Sequence, residues 1–337
     1  MESIPNARSL LCFGPKQPYP IALYLGFRLL KVLDAVSIRF YEFPLQVVKL
    51  VHLKYLAITY DGEIPSSISC LWNLEVLIVS QHNNIKRSNL PVYLPIEIWK
   101  LHKLKHLQCM GLDLPDPTSA DDDSLVVEKL LTLSGVSAHS VTVGVLARIP
   151  NLKKIGIKIE SAHDSVETFS FLGGDQFSNL LIRSPENVTS VPIQFPLFLK
   201  KISLSGCGFS WSYMRALNCL LHLETLKLRW YAFCGPVWET SDWCFSDLKY
   251  LLLEDLDLKR WDSTRDHFPS LERLVIRHCY NLQEIPPDFA GSKSLEEIEV
   301  HDCRKEVTVG IEKQRKRYRN IKCGLRVRFS GDDEKAK

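Results

Sequence analysis

The chain has 337 residues, 45% hydrophobic and 24% charged, with 42 Lys and Arg against 39 Asp and Glu for a net charge of +3. This composition excludes a disordered chain and supplies ample apolar material for a core. The near balance of charge speaks against a protein that coats nucleic acid or membrane along its whole length.

The N-terminus, MESIPNARSLLCFG, carries an early Glu2 and no basic stretch ahead of a long apolar one, which makes a poor secretory signal. No apolar run reaches the roughly 18–20 residues of a membrane-spanning helix. The best candidate, Ile21 to Ile38, is broken by Arg28, Lys31 and Asp34. The expected location is the cytoplasm, with peripheral membrane association or the nucleus left open.

From here the chain is periodic. An apolar residue recurs at i, i+3, i+6 and i+8 with polar residues between, starting at positions 4, 27, 50, 71, 101, 127, 149, 177, 196, 220, 245, 268 and 292. The clearest copies are LVHLKYLAI from Leu50, LWNLEVLIV from Leu71, LHKLKHLQC from Leu101, LLHLETLKL from Leu220, FSDLKYLLL from Phe245 and FPSLERLVI from Phe268. Phe177 starts a degenerate one. The thirteen starts have a mean spacing of 24 residues, inside the range of leucine-rich repeats and below that of helical-hairpin repeats.

Apolar residues two apart at i+6 and i+8 form the inward face of a short strand, so i+4, i+5, i+7, i+9 and i+10 point outward. A single unit leaves its inward leucines uncovered, and stacking neighbours buries them. The predicted fold is an α/β leucine-rich-repeat solenoid, curved, with a parallel sheet on the concave face and irregular loops and short helices on the convex face. Residues 1–303 form the array of about 13 units, and 304–337 a basic C-terminal cap and tail. With no polar cap ahead of Ile4, Met1 reads as lying inside the array of a longer protein, unless the first dozen residues fold over the end.

Between the strands, the pairs Ile64-Pro65, Leu94-Pro95 and Ile285-Pro286 predict turns and short helical pieces. The insertion HNNIKRSN after the unit at Leu71, and the stretch Pro115 to Ser124, predict exposed loops. Cys207, Cys279 and Cys303 fall at i+11, and Cys12 and Cys109 at the inward i+8 position. The ten cysteines form neither a C-x-x-C pair nor a cluster at metal-ligand spacing, so they read as reduced structural thiols.

The outward positions form blocks of charge, with Lys153, Lys154, Lys158, Lys200 and Lys201 followed by Lys227, Arg229 and Trp230. Lys249, Tyr250, Glu254 and Asp255 come next, followed by Glu272, Arg273, Arg277 and His278, and the last strand shows Glu296, Glu297, Glu299 and Asp302. The concave face is expected to run from basic to acidic toward the C-terminus. Arg, Trp and Tyr are the residue types that dominate interface energetics. The expected partner-binding residues are Lys154, Lys201, Lys227, Arg229, Trp230, Tyr250, Arg277 and His278.

The segment from Arg304 to Arg328 holds ten basic and two acidic residues, including KQRKRYR from Lys313. It reads as the solvated face of a terminal helix, with a nuclear-localisation or nucleic-acid patch as the competing reading. IKCGLRVRF after it alternates apolar and basic residues, as an edge strand protected by charge does. No hydrolase, protease or kinase motif is present, so the chain is not expected to be an enzyme, and no catalytic, cofactor or metal residue is assigned.

The unit LERLVIRHCYNLQEIPPDF, with LPIEIWKLHKLKHL, LLTLSGVS, IPNLKKIGI and the opening ARSLLCFG and FRLLKVLD, resembles the repeat region of plant coiled-coil nucleotide-binding immune receptors, the nightshade late-blight resistance proteins above all. The resemblance spans roughly residues 5–303. It implies the sensing part of a disease-resistance protein that binds a pathogen effector, a guarded host protein or the receptor's own switch domain, and no small-molecule substrate; nucleic acid is not an expected partner. The sequence has no G-x-x-x-x-G-K-[S/T] loop, so the family's ATP/ADP site is not carried over to any residue here. Two other classes stay open at this point, a substrate-selecting adaptor of a ubiquitin ligase and an extracellular repeat receptor or inhibitor.

Overall fold

The structure, a computed structural model, describes residues 6–16, 19, 26–81, 93–110, 112–116, 125–137, 140–159, 169–170, 177–184, 193–240, 244–319 and 324–330. The chain falls into two compact units, residues 1–158 with 171–177 and residues 159–170 with 178–337.

The first unit holds β1 (Ser9–Leu11), β2 (Val32–Phe40), β3 (Tyr55–Tyr60), β4 (Val76–Ser80), β5 (His106–Cys109), β6 (Thr132–Ser137) and β7 (Lys154–Lys158). Consecutive strands pair, always in parallel. The frame explains each of them. The step from i to i+3 is a tight turn, in which Leu53 N–H donates to the Leu50 carbonyl at 2.8 Å and Leu104 N–H to the Leu101 carbonyl at 2.9 Å. The chain leaves that turn extended, so the next apolar spacing drops to two and both residues face inward. Leu56, Ile58, Leu77, Val79, Leu107 and Cys109 are all buried. Truncating one such leucine to alanine costs about 2–5 kcal/mol.

The pairing is irregular twice in this unit, between Ala35 and Arg39 of β2, beyond the frame positions, and within the frame of β6. Position i+8 of the repeat from Val127 falls on Gly135, whose φ is 78° and where a Cβ would lie 2.6 Å from the Cys109 carbonyl oxygen. The pairing of β6 with β7 shifts between Ser134 and Val136, and Val136 takes the buried place. Behind the strands, Pro65 and Pro95 precede 3-10 turns at Ser66–Cys70 and Ile96–Lys100, as the proline pairs predict. The Thr142 hydroxyl accepts from Val145 N–H at 3.1 Å and starts the short helix α1 (Val143–Ala147). The insertion HNNIKRSN and most of the stretch Pro115 to Ser124 lie outside the described residues.

The second unit holds β8 (Phe169–Ser170), β9 (Asn179–Arg183), β10 (Ile193–Gln194), β11 (Lys201–Ser205), β12 (Phe209–Ser210), β13 (Thr225–Arg229), β14 (Phe233–Cys234), β15 (Val237–Glu239), β16 (Tyr250–Glu254), β17 (Arg260–Asp262), β18 (Arg273–Arg277), β19 (Glu297–His301) and β20 (Arg326–Ser330). Its main sheet runs β9-β11-β13-β16-β18-β19-β20, parallel throughout. The short pairs β8 with β10, β12 with β14 and β15 with β17 lie outside it. β20 is the edge strand expected from IKCGLRVRF. Helices α2 (Met214–Asn218) and α3 (Lys305–Arg317) complete the unit.

The start at Phe177 needs correction. Asn179 pairs with Lys201, an i+5 position, so the repeat begins at residue 174 and Phe177 occupies i+3. Leu180 and Ile182, not residue 183, are the buried strand positions. The reading was displaced because a glycine stands where the frame needs its first apolar residue.

Beyond the strands, the return segments of the second unit are built on stacked indoles. Trp211 stacks on Trp238 and Trp238 on Trp261, with centroids 4.8 Å apart in each case. Phe268 meets Trp238 and Trp261 edge-on, and Phe289 meets Trp261 in the same way. Each repeat thus covers its neighbour's aromatic surface, as the leucines do inside the sheet. The architecture is that of an α/β leucine-rich-repeat solenoid.

Candidate functional site

In the second unit the parallel register aligns the outward residues of successive strands into three rows. The i+5 row reads Asn179, Lys201, Thr225, Tyr250, Arg273, Glu297 and Arg326. The i+7 row reads Leu181, Ser203, Lys227, Leu252, Val275, Glu299 and Arg328. The i+9 row reads Arg183, Ser205, Arg229, Glu254, Arg277, His301 and Ser330. Together they carry eight Arg and Lys against three Glu.

All three carboxylates already have cationic partners. Glu254 meets Arg229 at 2.7 Å, Glu297 meets Arg273 at 3.1 Å, and Glu299 meets Arg273 at 2.6 Å and Arg328 at 3.6 Å. Burial alone would raise the Glu299 carboxyl, but the hydrogen bond from Arg273 and its charge outweigh this and hold it below the usual range. The expected acidic end of the gradient is therefore corrected at Glu297 and Glu299, while Glu296 and Asp302 are exposed as expected. Glu297 and Glu299 are buried under arginines, and the face stays cationic through β20.

At the centre of the face, Leu252 and Val275 point outward yet are 1% and 0% exposed. Long side chains flank them on both sides, and their aliphatic stems cover apolar surface while the charged heads stay wet. Tyr250 has Lys227 Nζ 5.4 Å and the Arg273 guanidinium 5.8 Å from its ring centre. Arg277 forms no ion pair among the described residues, and its Nε is buried without a hydrogen-bond partner.

One edge of the face is set by the backbone. The i+10 residue is left-handed in five successive repeats, Gly206, Trp230, Asp255, His278 and Asp302. Their N–H groups donate to the neighbouring strand, as Trp230 does to Glu254 and His278 to His301, both at 3.0 Å. This turn holds Trp230 at 67% exposure, beside Tyr231, a second left-handed and exposed aromatic residue. Left-handed conformation costs a non-glycine residue about 1 kcal/mol or more. Farther along the edge, Tyr280 is exposed and its hydroxyl lies 3.3 Å from His278 Nδ1.

Of the eight residues singled out from sequence, Lys201, Lys227, Arg229, Trp230, Tyr250, Arg277 and His278 lie on this face or its edge. Lys154 lies on the sheet of the first unit, in register with Thr132. The i+5 and i+7 rows of that unit are mostly neutral, with Val32, Tyr55, Val76, His106 and Thr132 beside Lys154. Arg183 was missed because the repeat at residue 174 was displaced by three; in the corrected frame it is an i+9 residue like Arg229 and Arg277. Tyr231 and Tyr280 were missed because they follow the strand, where the period of two no longer applies.

The i+11 thiols match their structural reading. Cys207 and Cys279 are buried and pushed up to about 12 by desolvation, so they stay protonated and unreactive. Cys303 Sγ lies 3.3 Å from the His301 carbonyl oxygen. Among the described residues no group of three or more His, Cys, Asp and Glu could hold a metal ion. No described helix is long and apolar enough to cross a membrane.

No family model matches the chain. Two late blight resistance protein homologues of Solanum demissum are each 33% identical to it over 289 residues, 84% of this chain and 22% of theirs. A third late blight resistance protein homologue of the same species is 32% identical over 292 residues, 85% of this chain and 23% of its own. Among solved structures, the leucine-rich-repeat ectodomain of the Arabidopsis thaliana receptor kinase GASSHO1/SCHENGEN3 aligns with a TM-score of 0.44 and 16% identity, over 83% of this chain and 36% of that one. A Leptospira interrogans leucine-rich-repeat protein aligns with a TM-score of 0.38 and 16% identity, over 89% and 84%. The chain is thus a leucine-rich-repeat protein similar over 84–85% of its length to late blight resistance protein homologues, and it spans about a fifth of the length of these relatives.

Proposed function

We propose that this chain is the protein-recognition part of an intracellular plant disease-resistance protein, acting by binding and not by catalysis. Its partner is a pathogen effector, a guarded host protein or the nucleotide-binding switch of the same receptor. The chain needs no cofactor of its own for this role. The observation that carries the reading is the outer face of the second unit, where the carboxylates are already paired and a surplus of cations, with exposed Trp230 and Tyr231, stays open to a ligand. Half-buried arginine and tyrosine beside an exposed tryptophan is the composition of an interface hot spot. The names of the relatives support a role in defence.

The experiment is co-immunoprecipitation from leaf tissue that expresses the chain with the nucleotide-binding domain of a relative or with a panel of effectors. Recovery of a partner by the native chain, reduced at least tenfold by Trp230→Ala with Tyr250→Ala, is the expected result. Undiminished recovery by that pair would remove this face from the function.

A further inference from the structure

The basic run read from the sequence lies on α3, and the face described above does not use it. Val307 and Ile311 of this helix are buried, and Gln314 donates to the Pro286 carbonyl at 3.1 Å. Tyr318, just past its end, lies against Gly291, where a Cβ would come within 2.8 Å of the ring. These positions recur at helical spacing and fix one side of α3 to the last repeats. The remaining arc presents Lys305, Lys313, Arg315, Lys316 and Arg317, all exposed and none in an ion pair among the described residues, with exposed Glu306 and Glu312 between them, so cations outnumber carboxylates there by five to two. Exposed Val309 lies on the same arc.

Residues 304–319 carry seven Lys and Arg against two Glu, so the rest of the chain has 35 basic and 37 acidic residues. The net positive charge of the protein therefore resides in this one segment. We propose that the exposed arc of α3 docks on an anionic phospholipid surface.

Three observations favour a lipid surface over the other polyanions. A nuclear-import receptor reads a basic run as an extended peptide, whereas here the run is helical and pinned by Val307, Ile311 and Gln314. Entry into a DNA major groove, about 8.5 Å deep, needs a helix that projects from the body. α3 is instead packed along one side, with Gln314 on Pro286 and Tyr318 on Gly291. A plane of lipid phosphates and serine carboxylates matches a half-cylinder on which five Lys and Arg outweigh Glu306 and Glu312 and one apolar residue, Val309, is exposed.

Sedimentation with vesicles tests this on the full chain. Phosphatidylcholine vesicles containing about one third phosphatidylserine are compared with pure phosphatidylcholine at about 0.05 and 0.3 M salt. The expected result is binding to the anionic vesicles alone, weakened at the higher salt. Lys313→Gln with Lys316→Gln and Arg317→Gln should weaken it roughly a hundredfold, from about fivefold per cation. The charge-preserving set Lys313→Arg, Lys316→Arg and Arg317→Lys should bind as the native chain does, and melting curves report whether both sets fold. Equal binding to both vesicles overturns the proposal, as does tighter binding to a DNA duplex at the same salt. If the glutamine set fails to fold, the native chain decides: binding that is insensitive to salt and to phosphatidylserine overturns it as well.

Discussion

Trp230 and Trp238 lie eight residues apart in the same repeat, one 67% exposed in a left-handed turn and the other fully buried between Trp211 and Trp261. The return segments spend their aromatic residues on covering one another, repeat against repeat. The outer face leaves Trp230 and Tyr231 exposed at its edge and covers its apolar centre, Leu252 and Val275, with charged stems. If recognition falls to the outer face, as proposed, then it and stability belong to different parts of each repeat, and substitutions should separate them.

The largest expected effect is on the return side. Trp238→Ala removes the middle of the indole stack and should cost about 3–5 kcal/mol in denaturant unfolding. A loss below about 1 kcal/mol would mean the stack contributes little beyond surface burial. On the outer face the effects should be smaller and of another kind. Glu299→Gln removes the 2.6 Å carboxylate acceptor of Arg273 and one of the two carboxylates that Arg328 meets, Glu297 remaining beside both, and should cost about 1–2 kcal/mol.

The sign of its pH dependence follows from the carboxyl, which titrates below its ordinary 4.5 in the folded chain. Its contribution is fully present above pH 4.5 and lost as pH falls through the folded value. Glu299→Gln should therefore flatten the acid limb of a stability–pH curve while leaving the neutral region parallel. An unchanged acid limb would contradict the pairing.

The smallest expected change in stability is at Trp230. Trp230→Gly relieves a left-handed residue and loosens the unfolded chain, so stability should stay within about 1 kcal/mol of the native value. Partner recovery should nevertheless fall with it. A large loss of stability here would mean that Trp230 is structural, and the contrast with Trp238 would collapse.

The strands were legible because their physics is local: a turn of three followed by a period of two marks them wherever leucine fills the frame. The frame failed where glycine stands in it, at Gly135 and at the repeat beginning at residue 174. There a backbone that needs no side chain breaks the apolar count. Lys201, Lys227, Arg229, Tyr250 and Arg277 were legible as outward residues for the same reason that Leu226 and Leu228 were legible as inward ones. The burial of Leu252, Val275, Glu297 and Glu299 was not, since it depends on side chains of neighbouring strands folding over them. The indole stack was equally hidden, because Trp211, Trp238 and Trp261 stand at unequal distances from their repeat starts and meet only after the return segments pair.

The central claim is that a partner seats on the outer face of the second unit. Photo-crosslinking tests it most directly, with a photoreactive residue placed at Trp230 or Tyr280 on the edge of the face, or at exposed Glu239 or Glu284 in the return segments. The account predicts one shared protein adduct from positions 230 and 280, lost when Arg277→Glu is added, and none from 239 and 284. Adducts of equal yield from all four positions, or an adduct indifferent to Arg277→Glu, would contradict it.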